Sequence, residues 1–241
     1  GRDKAMARAK SMLEGGAAII DVGGESTRPG ANPVSVQEEL DRVIPVVELL
    51  VREFQCIVSV DTSTPEVMLA AADAGAGLIN DVRALARPGA LEVVASLDLP
   101  VCLMHMQGEP KTMQQGPKYQ SLERDVVDFF LRRIDDCVSA GISKERLLID
   151  PGFGFGKTLE HNVALLSGLA EFLLLGLPLL VGISRKTMIG EIINKPVDQR
   201  LHGSVAAAVL AVERGANIVR VHDVAETVDA LKVVAAVRGA E

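Results

Sequence analysis

The sequence predicts an α/β protein of the (β/α)8 class, the TIM barrel, with the first strand and its loop missing from the chain. Short apolar runs alternate with longer segments of helical period along the 241 residues, as parallel strands alternate with crossover helices. Most of these runs are apolar throughout, as strands covered on both faces require. Most also end in a polar residue, at the position where barrel enzymes carry their active sites. We expect a single domain over residues 1–241.

Seven strands and eight helices are predicted in alternation. The strands are expected at residues 18–22, 56–61, 77–81, 101–105, 147–150, 180–184 and 218–222. The helices are expected at residues 3–14, 37–52, 65–75, 89–97, 121–140, 160–174, 200–214 and 224–238. A barrel needs a strand before every helix, and none precedes the helix that begins at residue 3. We therefore expect that the sequence is trimmed and that a strand lies upstream of Gly1.

A doubly wound open sheet is the alternative fold, because it tolerates seven strands. That fold usually opens with a glycine-rich phosphate loop after its first strand. The corresponding loop here, residues 23–30, reads GGESTRPG and does not fit the dinucleotide fingerprint. The barrel is therefore favoured.

Composition limits the class of partner and the compartment. The chain has 25 Lys and Arg against 32 Asp and Glu, a net charge of −7, which argues against nucleic acid or an acidic membrane surface as partner. Its 3 cysteines are an odd number without metal-ligand spacing, which predicts a reducing, cytoplasmic location. The most apolar stretch, residues 172–183, is too short to span a bilayer and is interrupted by Gly176 and Pro178. We expect no signal peptide or membrane anchor.

Polar residues stand at the end of each predicted strand. They are Asp21, Asp61, Asn80, Asp81, His105, Asp150, Ser184, Arg185, Lys186, Arg220, His222 and Asp223. In a barrel these ends share one face, so residues distant in sequence converge there. Any single one of them could instead cap the helix that follows. A set from seven strands favours a ligand site.

Residue types divide this set into two parts. Asp61, Asn80 and Asp150 can bind a heterocycle that offers adjacent N–H donors and ring acceptors, although the same oxygen atoms could hold Mg²⁺. Lys186, Arg220 and His222 belong to the last two strands, where barrels often bind phosphate. The alternative for Arg220 and His222 is a pair of exposed charges.

A glycine cluster follows the strand that ends in Asp150. Residues 152–158 read GFGFGKT. This is not a P-loop, because Pro151 stands where that motif needs glycine, and it is not a dinucleotide fingerprint, because Lys157 stands where that motif needs glycine. The loop could bring backbone close to a planar ligand, with Phe153 or Phe155 lining the pocket. A tight turn is the equally open alternative.

Seven stretches of the chain resemble one enzyme family. Residues 20–30 (IDVGGESTRPG), 150–157 (DPGFGFGK), 184–186 (SRK) and 220–223 (RVHD) are similar to those of the bacterial dihydropteroate synthases. Residues 59–62, 79–81 and 104–108 add SVDT, IND and MHMQG in the family's order. The resemblance runs the whole length of the chain.

The resemblance implies condensation of 6-hydroxymethyl-7,8-dihydropterin diphosphate with 4-aminobenzoate, giving 7,8-dihydropteroate and pyrophosphate for folate synthesis. It implies that Asp61, Asn80, Asp150 and Lys186 hold the pterin with Met104 against its ring, and that Arg220 and His222 hold the diphosphate. It assigns Thr27, Arg28 and Pro29 to a loop that orders the aminobenzoate site, which Phe155, Ser184 and Lys186 also line or approach. The catalytic residues it implies are Asp150, Lys186, Arg220 and His222.

The resemblance also implies a Mg²⁺ cofactor, a homodimer and sensitivity to sulfonamides. The family's metal ligand is an Asn on the first strand, so we expect it upstream of Gly1 and expect no metal ligand within this chain. A folate-dependent methyltransferase domain and a non-catalytic pterin-binding module are the alternative functions. The SRK and RVH motifs favour a diphosphate substrate over the methyltransferase.

Overall fold

The computed structural model describes residues 1–27 and 30–240 of the chain. Within these ranges it has seven strands: β1 (Ile19–Gly23), β2 (Ile57–Asp61), β3 (Leu78–Asp81), β4 (Val101–Met104), β5 (Leu147–Asp150), β6 (Leu180–Val181) and β7 (Ile218–Val219). The helices there are α1 (Arg2–Glu14), α2 (Val36–Phe54), α3 (Pro65–Asp73), α4 (Ala90–Ser96), α5 (Leu122–Ser139), α6 (Leu159–Ser167), α7 (Thr187–Ile193), α8 (Leu201–Glu213) and α9 (Val224–Arg238).

The strands are parallel and follow one another in chain order around the sheet. Strands β1 to β5 form one ladder, β6 pairs with β7, and a bridge from Ile149 to Leu179 joins the two groups. A doubly wound sheet would reverse its order at a switch point, and no reversal occurs among the described strands. The TIM-barrel prediction is confirmed, with a wall that is open between β7 and β1.

Two side-chain contacts cross the opening in the wall. Arg220, which follows β7, donates from Nε to Asp21 Oδ2 on β1 at 2.6 Å. Arg8 on α1 donates from Nη2 to the carbonyl oxygen of His222 at 3.0 Å. Helix α1 therefore packs beside the opening, and the two edges of the wall are held together by polar side chains.

Register places the polar strand ends at one level. Asp61 is paired with Gly23 on one side and with Asn80 on the other, and Met104 is paired with Asp150. The strand residues before them are apolar and buried, so the polar groups emerge together where the packed core ends. This level is the carboxyl-terminal rim of the barrel.

The structure differs from the prediction in three respects. Helix α7, which is only seven residues long, was not predicted. The predicted helix at residues 160–174 is divided at Gly168, after which residues 169–175 form a 3-10 helix. Strands β6 and β7 are two residues each, partly because the His222 amide donates to Ser184 Oγ at 3.2 Å and not to a neighbouring strand.

Candidate active site

Asp61 and Asn80 are neighbours on the rim, at the ends of β2 and β3. Asn80 is 6% exposed, and no described residue hydrogen-bonds to its side-chain amide. Asp61 Oδ2 lies 3.8 Å from Arg220 Nη2, which is too long for a strong hydrogen bond. Neither side chain makes a hydrogen bond within the described protein, and the Asp61 side chain is 14% exposed, so both are open to a polar ligand.

The pKa of Asp61 is raised to about 8, first by burial and then by the negative charge of Asp21. The cation of Arg220 opposes this rise. A carboxyl group with a raised pKa can hold a proton at neutral pH, and it must lose that proton before both of its oxygens can accept hydrogen bonds from a ligand. Perturbed pKa values of this kind cluster at functional sites.

Asp150 and Lys186 face each other beside the glycine loop. The carboxylate of Asp150 accepts a hydrogen bond from the Gly152 amide at 2.8 Å. Burial raises its pKa, and the positive charge of Lys186 is the largest influence that opposes the rise. Lys186 donates from Nζ to the Phe153 carbonyl and lies 4.7 Å from the centre of the Phe155 ring. Burial and the neighbouring Arg220 lower the pKa of Lys186 to about 8.

Arg220, His222 and Ser184 form the adjoining cationic corner. The Arg220 side chain is 48% exposed, so its remaining N–H groups are open to a ligand. His222 Nδ1 lies 3.0 Å from Ser184 Oγ, and burial together with Arg220 and Arg185 lowers the pKa of His222. Ser184 therefore orients the histidine of this corner, a role that the sequence alone did not indicate.

The other predicted site residues have different surroundings. Met104 is 3% exposed at the end of β4, and Phe155 is half-buried under Lys186. Thr27 is half-buried in the loop after β1. Arg28 and Pro29 lie outside the described residues.

Several polar strand ends are occupied by the protein itself. Asp81 accepts hydrogen bonds from the amides of Arg83 and Leu85, both at 2.8 Å, and so holds a turn. Arg185 pairs with Asp223 through two bonds of 2.9 and 2.6 Å. These residues therefore stabilise the fold through hydrogen bonds within the protein and are not free to bind a ligand with the same groups.

Lys157 is a buried residue whose role sequence reasoning missed. Its Nζ lies 3.0 Å from His105 Nδ1 and donates to the carbonyl oxygens of Gly152 and Phe155 at 3.0 and 3.1 Å. Burial lowers the pKa of Lys157 to about 7 and that of His105 to about 2. Lys157 thus supports the glycine loop from within. The sequence signal for this role was a lysine within an otherwise apolar glycine loop.

The described residues do not fit a metal held by protein side chains alone. They contain no group of three or more His, Cys, Asp or Glu residues arranged to hold an ion. One carboxylate oxygen, Asp21 Oδ1, is buried without a hydrogen-bond partner, but the Arg220 cation is bonded to the other oxygen of that carboxylate. Mg²⁺ commonly relies on one or two carboxylates together with substrate phosphates.

Comparison with known proteins identifies the family of this chain. The model of the family described as "Pterin binding enzyme" matches residues 2–222. The fold and the rim therefore define a pterin-binding barrel enzyme.

Among the relatives, a dihydropteroate synthase of Escherichia coli K12 is 58% identical over 237 residues, which are 98% of this chain and 84% of the relative. A dihydropteroate synthase of Haemophilus influenzae is 57% identical over 231 residues, 96% of this chain and 84% of the relative. The chain belongs to the dihydropteroate synthase family, whose members are transferases.

Solved structures give the same result. A Yersinia pestis dihydropteroate synthase in complex with a sulfonamide drug superposes with a TM-score of 0.98 at 57% identity, covering 99% of this chain and 87% of the other. A Xanthomonas albilineans dihydropteroate synthase in complex with 7,8-dihydropteroate gives a TM-score of 0.91 at 50% identity, covering 98% and 88%. In the described part of this chain, no helix is both long enough and apolar enough to cross a membrane.

Proposed function

We propose that this chain condenses 6-hydroxymethyl-7,8-dihydropterin diphosphate with 4-aminobenzoate at the carboxyl-terminal rim of its barrel, releasing 7,8-dihydropteroate and pyrophosphate. The observation that carries the assignment of residues is the pairing of two neighbouring environments. One is formed by the neighbouring side chains of Asp61 and Asn80, which make no hydrogen bonds within the described protein. The other is the exposed guanidinium of Arg220, which lies 3.8 Å from Asp61.

The pterin binds on the acidic side of the cleft. Asp61 and Asp150 accept N–H groups of the heterocycle, while Asn80 both donates and accepts. Lys186, held above the Phe155 ring, donates to a ring acceptor. Met104 supplies an apolar contact to the ring. A heterocycle that fills this side of the cleft makes hydrogen bonds to groups that the folded protein leaves unpaired. Ligands that cannot make these bonds should therefore bind much more weakly.

The diphosphate binds on the cationic side, at Arg220 and His222. A guanidinium suits phosphate because it presents several N–H donors in one plane. We propose that the bond between the exocyclic carbon and the diphosphate oxygen breaks ahead of attack by the amine. The electron pair leaves with pyrophosphate, and the electron-rich pterin spreads the resulting positive charge.

No covalent nucleophile is needed for this route. The carboxylate of Asp150 stabilises the cationic pterin, and Arg220 and His222 stabilise the departing negative charge. These groups are fixed before the reaction begins, so little reorganisation is required at the moment of charge separation. The amine then forms the new carbon–nitrogen bond and releases its proton.

The second substrate, 4-aminobenzoate, lies between the loop that carries Thr27, Arg28 and Pro29 and the glycine loop. Phe155 provides an apolar wall, and Lys186 and Ser184 are near enough in the fold to contact the ligand.

Three further features belong to the proposal. Mg²⁺ accompanies the diphosphate and adds positive charge beside the leaving group when it is bound. The protein acts as a homodimer. It functions in the cytoplasm, which is supported by its free cysteines, of which Cys102 and Cys137 are buried.

Amine-dependent release of pyrophosphate tests this function. Purified protein is titrated with the pterin diphosphate by calorimetry, and 4-aminobenzoate is then added with Mg²⁺ while pyrophosphate is assayed. We expect pyrophosphate only when the amine is present. Binding without turnover would indicate a non-catalytic pterin-binding module, and failure to bind the diphosphate would favour a folate-dependent methyltransferase.

A further inference from the structure

Arg83 joins the loops that follow four strands of the barrel. It lies just after β3, and its guanidinium reaches Glu25 in the loop after β1 at 3.5 Å. It also donates to Ser63 Oγ after β2 at 3.2 Å and to Glu109 after β4 at 3.3 Å. The side chain is only 13% exposed, which is low for arginine. None of the chemistry described above uses it.

The backbone that carries Arg83 is held firmly. Asp81 accepts hydrogen bonds from the amides of Arg83 and Leu85 and from the Ser63 hydroxyl. Ala84 and Leu85 follow with φ values of 51° and 60°, a conformation that residues with a side chain adopt only when their surroundings impose it. The guanidinium therefore projects from a rigid turn.

Glu25 is the partner that connects this turn to the second-substrate loop. It lies two residues before Thr27, its side chain is 11% exposed, and a second arginine, Arg87, approaches it at 3.9 Å. Arg87 in turn donates to Thr64 Oγ1 at 3.0 Å. The start of the loop is thus fixed between two cations of the loop after β3.

Thr64, the partner of Arg87, is in turn held by a buried glutamate. Glu39 on α2 is 2% exposed and accepts hydrogen bonds from Thr62 at 2.5 Å and from Thr64 at 2.7 Å. Thr62 directly follows Asp61. Through Thr64 and Arg87 this network reaches Glu25 by a route that does not pass through Arg83.

We propose that Arg83 is a positioning residue for the second substrate, acting through Glu25 on the loop that bears Thr27. The inference rests on the proposed function, because it assumes that 4-aminobenzoate binds beside Thr27. An unanchored loop must lose conformational freedom each time the amine binds, and this cost falls on the affinity for the amine. Asp61 and Asn80 are anchored by their strands, so pterin binding does not depend on Arg83.

The test compares Arg83→Gln with Arg146→Gln. Arg146 is also a half-buried arginine, and it donates to two backbone carbonyls, those of Val94 in α4 and Leu99 in the loop that follows, both at 2.9 Å. It precedes β5 at the opposite end of the barrel. We expect Arg83→Gln to raise KM for 4-aminobenzoate by about 10-fold or more, and to leave the Kd of the pterin diphosphate within about twofold. We expect Arg146→Gln to change neither constant.

Two companion variants make the test specific. Arg83→Lys keeps the charge opposite Glu25 and should recover part of the amine affinity. Glu25→Ala should raise the amine KM as Arg83→Gln does, and the double variant should show less than the sum of the two changes because the variants share the loss of the Arg83–Glu25 contact. Glu25→Ala leaves the turn after β3 intact, so it carries the test if Arg83→Gln does not fold.

The outcomes separate the two proposals. If the parent protein releases no pyrophosphate in the presence of the amine, the proposed function fails. If the parent is active and the amine KM is unchanged in Glu25→Ala, or the KM of the amine and the Kd of the pterin diphosphate change equally in Arg83→Gln, the positioning role is overturned. A selective loss of amine affinity supports it.

Discussion

Arg220 donates from Nε to Asp21 Oδ2 at 2.6 Å while its Nη2 lies 3.8 Å from Asp61 Oδ2. One guanidinium thus bridges the open wall of the barrel and also stands between two carboxylates of the rim. The charge of Asp21 raises the pKa of Asp61, and Arg220 lowers it. Asp21 therefore influences both the protonation of Asp61 and the position of Arg220.

Asp21→Asn should shift the pH dependence of pterin binding to lower pH. Asp61 accepts N–H groups only as a carboxylate, so affinity should rise with pH through its raised pKa. Removing the charge of Asp21 lowers that pKa and leaves Arg220 free to approach Asp61, which lowers it further. Calorimetric titration with the pterin diphosphate over a pH series measures the midpoint. Asp41→Asn, on the exposed face of α2, is the control, and an unchanged or higher midpoint for Asp21→Asn would contradict the coupling.

Arg220→Gln should weaken binding of the diphosphate and spare the heterocycle. Charge-assisted bonds from a guanidinium to phosphate are worth enough to predict a rise of about 10-fold to 100-fold in KM for the pterin diphosphate. Affinity for the same pterin without its diphosphate should change by about twofold or less. Arg214→Gln, which alters an arginine at the end of α8, should have no effect. Equal losses for both pterins would show that Arg220 binds the heterocycle instead.

Asp150→Asn should lower turnover by orders of magnitude, because the amide keeps the shape of the side chain and removes the charge proposed to stabilise the cationic pterin. Pyrophosphate release at saturating substrates measures this directly. Asp98→Asn changes an exposed residue before β4, at the other end of the barrel, and should retain full turnover. Near-normal turnover of Asp150→Asn would sink the catalytic assignment.

Lys157→Met should change the pH dependence of stability. The folded-state pKa of Lys157 is lowered to about 7, whereas in the unfolded chain it is near 10.4. The unfolded chain therefore binds the extra proton between these values, and the contribution of Lys157 to the free energy of unfolding rises with pH across that window. The loss caused by Lys157→Met should be larger at pH 9 than at pH 6, by on the order of 2 kcal/mol.

Denaturant unfolding at the two pH values measures this difference. Lys144→Met, an exposed lysine in the 3-10 turn before β5, should show the same small change at both. A loss for Lys157→Met that does not depend on pH would mean that the lysine keeps an ordinary pKa when folded.

Gly152→Ala should be far more damaging than Gly116→Ala. Both glycines have left-handed backbones, with φ of 74° and 69°, so both substitutions incur the same conformational cost of about 1 kcal/mol. A methyl group at Gly152 would overlap the carbonyl oxygen of His105, whereas one at Gly116 meets nothing within 4 Å. We expect a loss of about 3 kcal/mol or more at Gly152, together with loss of activity as Asp150 loses the Gly152 amide. Thermal unfolding of the two variants gives the comparison, and equal losses would contradict the role of close packing.

Local patterns in the sequence were sufficient for much of the fold. Strand β4 is a fully buried apolar run, and its composition and length indicate a strand without reference to any other part of the chain. Helix α7 was not predicted: it begins directly after the polar strand end at Lys186, and its seven residues give only a short periodic signal.

Polar strand ends were also visible in the sequence, and the motifs around them were specific enough to indicate the family. The sequence by itself therefore determined the barrel, its family and the set of polar residues at the rim. Each of these depends on residue type and on order along the chain.

Tertiary structure alone decided how the rim residues are used. It paired Arg185 with Asp223 and turned Asp81 into the support of a turn, leaving Asp61 and Asn80 free of strong protein partners. It also placed Lys157 beneath the glycine loop and Ser184 beside His222. A hydrogen bond depends on distances of a few ångströms between groups that can be 199 residues apart, as for Asp21 and Arg220, and no local pattern contains that information.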